Sequence, residues 1–454
     1  MRNIVPHHAL NIGAGMYGAG KGVEGTGTGR YGPLLSTHFQ LVADGLETPD
    51  TIYCATSSTS ATNLWEKSKE LTDMFGFNEN PVKLFFPEEG HDPCAYKDAA
   101  TILRDPGFAV VSVPDPSHKD IIIDMLEAGK HVMSVKPLAG TLEDCLDILL
   151  CKEQYPNLML QVEYHKRFDR AINYMRDVIE SGEFGKIEHI DVYMDEAIAI
   201  PLHFFKSRLA QDHGPAEDLG PMRYIGNHFV DIIHFLTGSH PIKITDSKAT
   251  FGRVRAEEVD QPDVVEANAL WGHSLYNHFL QKEFTSTHYA GWTKGEPGPI
   301  KTWPDQRIKI TFEDGTEMTY DQSGSNFTLK VRDKEQPINP HFAFLHKNHA
   351  TDEYQCEGYC VDTYRAFLRN LTQMEEGRLP TGFPGYCDGQ QALVANAFTE
   401  AVTRSWRSVQ ETNGTRTGGV VLISDIVNDA LTRCSDASKA EGYCSRLLRT
   451  SNPI

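Results

Sequence analysis

The chain has 454 residues, 40% of them hydrophobic, with 43 basic against 62 acidic side chains and a net charge of −19. That length supports two domains with their own cores, and no apolar run approaches the roughly 18 residues that mark a membrane span. The acidic balance repels polyanions and argues against nucleic acid as a partner, and no membrane partner is expected.

Nine cysteines scattered from Cys54 to Cys444 form no dense framework. No charged-then-apolar leader pattern precedes Leu10, so the expectation is a cytoplasmic protein with reduced thiols. The first predicted strand starts at Ala9 and runs into Asn11-Ile12-Gly13-Ala14-Gly15-Met16-Tyr17-Gly18, a GxGxxG. Glycines at this spacing permit a tight turn, close approach of backbone N–H groups to a pyrophosphate, and helix packing on the strand. The glycines continue through Gly20, Gly22, Gly25, Gly27, Gly29 and Gly32, so the alternative is the start of a glycine-rich loop.

The next strand, Thr51 to Ala55, ends where a cofactor's adenosine ribose would lie. The usual acidic residue is missing, and Thr56, Ser57, Ser58 and Thr59 stand in its place. Hydroxyls can donate to a 2′-phosphate, which tips the reading towards NADP, with NAD the alternative. The same cluster serves equally as an ordinary helix N-cap.

Ala109 to Val113 reads as a strand, followed by Pro114-Asp115-Pro116-Ser117-His118 and a helix from Lys119 to Gly129. A further strand, Lys130 to Val135, delivers Lys136-Pro137-Leu138-Ala139 at its carboxyl edge, where open α/β sheets place their ligands. Met159 to Asp169 forms one more strand running into the polar cluster Tyr164-His165-Lys166-Arg167. Beyond it, β-favouring segments at Ile187–Met194, Ile242–Val254, Val264–Leu270, Phe279–Thr287, Arg307–Phe312 and Glu317–Asp321 predict a second sheet, with a hairpin turn at Glu313-Asp314-Gly315. A helix is predicted over Met222 to Leu236.

In this order the GxGxxG, Val-Pro-Asp-Pro-Ser-His, Lys-Pro-Leu-Ala and Tyr-His-Lys-Arg-Phe-Asp segments resemble the Gfo/Idh/MocA oxidoreductases. Tyr224-Ile225-Gly226-Asn227-His228-Phe229-Val230-Asp231 is similar to that family's Asp-x-Gly-x-His-x-x-Asp signature, and Leu379 through Ala401 to its closing helix segment. The resemblance implies an α/β chain with a Rossmann dinucleotide-binding domain over residues 1–165. A second α/β domain over 166–454 would carry a large, mostly antiparallel open sheet, one face covered by helices and the other available for a homodimer or homotetramer. It implies cofactor contacts from Gly13, Gly15, Met16, Tyr17, Gly18, Thr56, Ser57, Ser58, Pro114, Asp115, His118, Lys136 and Pro137.

Three departures stand out. Val135 replaces the family's glutamate before the lysine, Tyr224 replaces the first aspartate of the histidine signature, and the loop after Gly18 is expanded. All three are similar to the D-galacturonate reductases of this family, which implies reduction of a uronic acid's C1 aldehyde to the aldonic acid, here L-galactonate. The alternatives are a neutral sugar or inositol dehydrogenase, a glycosidase using retained NAD for transient oxidation, and a cofactor-binding regulatory protein.

The chemistry can be argued from the residues. Hydride transfer to an aldehyde leaves an alkoxide that needs a proton. Lys136 is the leading donor, because partial desolvation lowers an ammonium's pKa from about 10.4. His228 would share or orient that proton, and Tyr224, four residues earlier, would share its helical face. His165, Lys166, Arg167 and Asn227 would meet the substrate, arginine and lysine suiting a carboxylate. The competing readings are a solvated lysine, a satisfied core histidine, a packing tyrosine and an Arg167–Asp169 ion pair. His203, Lys206 and Arg208 precede an irregular stretch, Gln211 to Pro221, that would form a pocket mouth. His346, His349, Cys356 and Cys360 are zinc ligand types, but their spacing matches no familiar structural pattern. Cys360 also falls in register with Tyr364, Phe367, Leu368 and Leu371, so no metal is expected.

Overall fold

Six short parallel strands form the first sheet: β1 (His8–Ile12), β2 (Thr51–Cys54), β3 (Val82–Phe85), β4 (Gly107–Val111), β5 (His131–Val135) and β6 (Leu160–Glu163). Their spatial order is β3-β2-β1-β4-β5-β6. β1, β2, β4 and β6 are buried along their whole length, as strands covered on both faces must be. The computed structural model describes residues 5–20, 30–205, 220–272, 274–276, 279–295, 304–323, 327–331, 334–378 and 385–448. It divides into two units. The first comprises Met1–Leu138, Cys151–Asp169 and Ile338–Gly389; the second comprises Ala139–Leu150, Arg170–Pro337 and Gln390–Ile454.

A helix distant in sequence completes the first unit's core. Helix Tyr359–Glu375 buries Tyr359, Cys360, Tyr364, Phe367, Leu368 and Leu371, the predicted apolar stripe, against Ala9, Phe108, Val110 and Met133 of the sheet. The rings of Phe108 and Phe367 meet edge to face at 5.2 Å. Each such fully buried large side chain contributes about 1.5–3 kcal/mol. A second cluster joins Leu35 and Phe39 of helix Pro33–Ala43 to Tyr53, Ala61, Leu64 and Leu71.

The second unit holds an eight-stranded sheet. Its main path runs Glu317–Asp321, Asp305–Phe312, Ile187–Ala197, Phe284–Lys294, Val264–Trp271, Pro241–Thr250 and Thr415–Gly418, with Val421–Leu422 also pairing the Pro241–Thr250 strand. All these pairs are antiparallel except Ile187–Ala197 with Phe284–Lys294. Residues 264–271 alternate strictly, burying Val265, Ala267, Ala269 and Trp271. Trp271 stacks on Phe284 and on Phe398 of helix Gly389–Arg407. The other face is polar and aromatic: Tyr193 and Tyr289 stack at 4.3 Å, the Arg307 guanidinium lies 4.5 Å from the Tyr193 ring, and Thr287 donates to Asn268.

Two predicted strands end elsewhere for visible reasons. The Ile242–Val254 segment leaves the sheet at Thr250, because both oxygens of Asp263 accept from the backbone N–H groups of Arg253 and Val254 and wind a short turn there. The Phe279–Thr287 segment is broken into Phe279–Gln281 and Phe284–Lys294, with the Gln281 amide bound to the Ile187 backbone in both directions. Glu317–Asp321 and the turn at Gly315 (φ +83°) stand where the sequence places them. No helix among the described residues is long and apolar enough to cross a membrane.

Candidate active site

In the first unit the sheet order reverses between β1 and β4, the switch point at whose carboxyl end ligands bind in open α/β sheets. The three motif glycines there answer three different constraints. Gly13 has φ +118°, and a Cβ on it would lie 2.4 Å from the Ser112 carbonyl oxygen at the end of β4. A Cβ on Gly18 would lie 2.4 Å from the Gly13 carbonyl oxygen, so the turn can close only over a hydrogen. Gly15 has φ −78° and nothing within 4 Å of its Cβ position. The space above it is open, at the start of the helix that begins at Met16.

The helix that begins at Met16 stops after four residues, at Gly20 (φ 66°), and a new one starts at Pro33 after Gly32 (φ 76°). The two glycines abut: a Cβ on Gly20 would lie 2.6 Å from the Gly32 nitrogen. Lys67 donates to the Ala19 and Gly20 carbonyls, and Glu70 accepts from Arg30 and Tyr31. Helix Ser58–Phe75 thus clamps both ends of the expanded loop, whose Gly22, Gly25, Gly27 and Gly29 lie outside the described residues.

At the end of β2, Ser57 is an N-cap whose hydroxyl accepts from the Ser60 N–H at 3.5 Å. The Thr56 carbonyl accepts from the Asp92 N–H at 3.1 Å. The Asp92 charge reaches Cys54, whose thiol is pushed up to about 12 by burial first and by Asp92 second. A carboxylate therefore does stand near the end of β2, carried there by the segment after β3.

Beyond β4, Pro114 opens a single turn, Asp115–Ser117. His118 is fully buried and bridges two strand ends, with Nδ1 2.9 Å from the Pro137 carbonyl and Nε2 2.9 Å from the Val113 carbonyl. It holds the Lys136-Pro137 turn rather than facing a cofactor. Lys136 itself is half-buried at the end of β5, and its bond to Pro137 is cis.

Strand β6 brings Glu163 level with Val135. Glu163 is 1% exposed, and its Oε1 accepts from the Tyr17 hydroxyl at 2.6 Å and lies 3.2 Å from His165 Nδ1. Cys360 Sγ lies 3.9 Å from the same oxygen. Burial, then Cys360 and Glu163, push the Tyr17 hydroxyl well above its ordinary range. The His165 ring stacks on Tyr359 at 5.4 Å and packs on Phe342 at 4.8 Å. Burial lowers its pKa; Glu163 opposes that, and Lys166 and Lys136 add to it. The register that pairs Val135 with Glu163 ends β5 just before Lys136, beside the start of the His165 segment. Arg167 is buried at 2% exposure and donates from Nη1 to the Tyr386 carbonyl at 3.0 Å, and Lys166, equally buried, lies 5.8 Å from the Tyr359 ring.

The remaining predicted residues belong to the second unit. Met222–Gly226 winds as one π turn before the α-helix Asn227–Thr237, so Tyr224 and His228 do not share the simple four-residue face expected of one α-helix. A Cβ on Gly226 would lie 2.7 Å from Met222 Sδ and 3.3 Å from Ala290, which packs this turn on the sheet. Asn227 and His228 are buried, and Asn227 Nδ2 donates to the Arg223 carbonyl at 2.7 Å. Tyr224 is half-buried with its ring 5.7 Å from Trp292. Lys206 and Arg208, and most of the 211–221 stretch, lie outside the described residues, as does the His203 side chain. His346 pairs with Glu357 at 3.1 Å, and Cys360 lies in the buried face of its helix.

Glu163, Asp92 and the bridging role of His118 escape a reading of sequence alone. For Glu163 the available signal is its place two residues before His165 at a strand end; the other two are read only once the strand order is known.

Residues 52–164 match the model of the Gfo/Idh/MocA family, described as an oxidoreductase family with an NAD-binding Rossmann fold. Inositol 2-dehydrogenase 1 of Saccharopolyspora erythraea is 28% identical over 160 residues, 35% of this chain and 44% of the relative. An inositol 2-dehydrogenase/D-chiro-inositol 3-dehydrogenase of Lactiplantibacillus plantarum is 24% identical over 276 residues, 56% of this chain and 73% of the relative. The chain thus spans less than half of the first of these and about three quarters of the second. Among solved structures, scyllo-inositol dehydrogenase of Lactobacillus casei with bound NAD(H) and scyllo-inositol superposes with a TM-score of 0.58 at 16% identity, covering 92% of this chain and 99% of that one. Myo-inositol 2-dehydrogenase of Lactobacillus plantarum gives the same score at 15% identity, covering 88% and 96%. These structures share the two-part fold.

Proposed function

We propose that this chain, whose residues 52–164 match the Gfo/Idh/MocA family model, is an NAD-dependent dehydrogenase of a cyclic polyol or neutral sugar, oxidising a secondary alcohol to a ketone. The observation that carries it is the bare backbone at Gly15 in a cradle that Gly13 and Gly18 close, in the same unit that delivers Lys136 at a strand end. The inositol dehydrogenases among the relatives supply the substrate class.

When bound, the nicotinamide accepts a hydride from the carbinol carbon. Gly13, Gly15, Met16 and Gly18 would hold the pyrophosphate. Lys136 takes the hydroxyl proton in oxidation and returns it in reduction. NAD fits better than NADP, because Ser57 is engaged as a helix cap, Lys67 is engaged by Ala19 and Gly20, and Asp92 brings negative charge beside the end of β2.

Reduction of D-galacturonate is the weaker reading, because the cations chosen for its carboxylate, Lys166 and Arg167, are 2% exposed among aromatic rings and a backbone carbonyl. The open polar and aromatic sheet face supports self-association, which light scattering on the purified protein measures. The deciding assay follows absorbance at 340 nm with inositols, neutral aldoses and uronates and with both cofactors. Turnover of inositols or neutral sugars with NAD is expected. Exclusive use of uronates would restore the galacturonate reading, and tight NAD without net turnover would favour the glycosidase.

A further inference from the structure

Three donors converge on one oxygen of a carboxylate that is 1% exposed: Tyr17 Oη at 2.6 Å, His165 Nδ1 at 3.2 Å and Cys360 Sγ at 3.9 Å from Glu163 Oε1. An ionised carboxylate only accepts, so the hydrogen between it and the imidazole sits on Nδ1. In the neutral ring Nε2 then carries the lone pair. The ring is fixed in place, stacked on Tyr359 at 17° between planes and packed on Phe342.

We propose that Glu163 is a positioning residue that holds His165 in its Nδ1–H tautomer, so that Nε2 receives the proton which Lys136 takes from the substrate. This rests on the dehydrogenase reading above. In the step the carbinol O–H proton passes to Lys136 and from its ammonium to His165. With NAD⁺ bound, the C–H electron pair would go to it as hydride and leave the ketone, and the imidazolium would then give its proton to water. Glu163 meets the positive charge that the ring acquires. Glu163 and Tyr17 lie against the ring's Nδ1 side, Cys360 lies against Glu163, and Tyr359 of helix Tyr359–Glu375 stacks on the ring. The β5–β6 register that pairs Val135 with Glu163 ends β5 just before Lys136, beside the start of the His165 segment, and the charges of Lys166 and Lys136 act on the ring. Burial keeps the ring neutral below its usual range, which leaves it able to accept.

The test uses full-length protein. Nitrogen-15 NMR of the histidine rings, with His165 identified by His165→Gln, is expected to show Nδ1–H and unprotonated Nε2 at pH 7, and loss of that preference in Glu163→Ala. A ring protonated on Nε2 at pH 7, alone or as imidazolium, would overturn the proposal whatever the activity.

In the 340 nm assay Glu163→Gln is expected to lower kcat about 100-fold with KM little changed and to move the acid limb of the pH profile, because an amide can donate towards Nδ1. Glu163→Asp should recover part of the loss. A Glu163→Gln or Glu163→Asp protein with lower thermal stability but the wild-type pH profile would mean a merely structural carboxylate. A wild type that turns over no polyol defeats the dehydrogenase reading, while the ring tautomer still reports on the pair.

Discussion

Alanine placed in turn at Gly13, Gly15 and Gly18 separates cofactor binding from folding within one motif. At Gly13 the added methyl sits 2.4 Å from the Ser112 oxygen on a backbone at φ +118°. Overpacking costs about 1–3 kcal/mol and the strained backbone about as much again. At Gly18 the same 2.4 Å contact, to the Gly13 oxygen, adds only the first of these. At Gly15 the backbone already lies at φ −78° with open space around it, so alanine costs nothing and restricts the unfolded chain, a change within about 1 kcal/mol. In a unit of this size 1 kcal/mol moves Tm by about 2–4 °C. Differential scanning calorimetry should therefore show Gly13→Ala melting at least about 5 °C lower, Gly18→Ala somewhat lower and Gly15→Ala within about 3 °C of wild type. Calorimetric titration with NAD should give Gly15→Ala a Kd raised about 10- to 150-fold, the loss of one charge-assisted contact to phosphate. Unchanged NAD affinity in Gly15→Ala, or a melting loss equal to that of Gly13→Ala, refutes the assignment of that opening to a pyrophosphate.

Lys136→Met should lower kcat at least about 100-fold while NAD affinity stays within a factor of about two, and near-normal turnover would remove the lysine from the reaction. Arg167→Ala should lower Tm by several degrees and weaken every substrate alike, since its guanidinium holds the Tyr386 carbonyl in the interior; a loss confined to uronates would instead make it a substrate ligand. His288, buried with Nε2 2.8 Å from Ser286 Oγ, is pushed down to about 3, chiefly by burial. Its folded value lies below the unfolded 6.5, so the stability it supports is present above pH 6.5 and lost as pH falls towards 3. The slope is at most about 1.4 kcal/mol per pH unit, and His288→Gln should flatten urea-unfolding stability between pH 7 and pH 5 accordingly.

The strands, the glycine turn and the Lys136 strand end are legible in the sequence because each is a local signal: an apolar run, a glycine spacing, a strand stopped by proline. The alternation at 264–271 is equally local, and it predicts the sheet face. What sequence reading cannot supply is contact between distant segments. Glu163 takes on meaning only when β6 lies beside β5 and Tyr359–Glu375 returns to the first unit to set Cys360 against it. His118 looks like a cofactor ligand until its ring is seen bonded to the Val113 and Pro137 carbonyls. The π turn at Met222–Gly226 has the composition of an ordinary helix start, and only its packing of Gly226 on Ala290 marks it. Asp92 lies far from β2 in sequence, and only the bond from its N–H to the Thr56 carbonyl brings its charge near the end of that strand.

The paired glycines at 20 and 32 make the first helix of the nucleotide fold a spliced element. Its two halves abut through backbone contacts that exclude any side chain, and Lys67 and Glu70 grip the cut ends from a neighbouring helix. Closing a longer segment across fixed ends costs only about 0.6 kcal/mol for each doubling of its length. The fold is therefore nearly indifferent to what is written between those glycines. Selection can rewrite that stretch, in size and in charge, as a cassette beside the nucleotide turn without renegotiating the architecture that carries it.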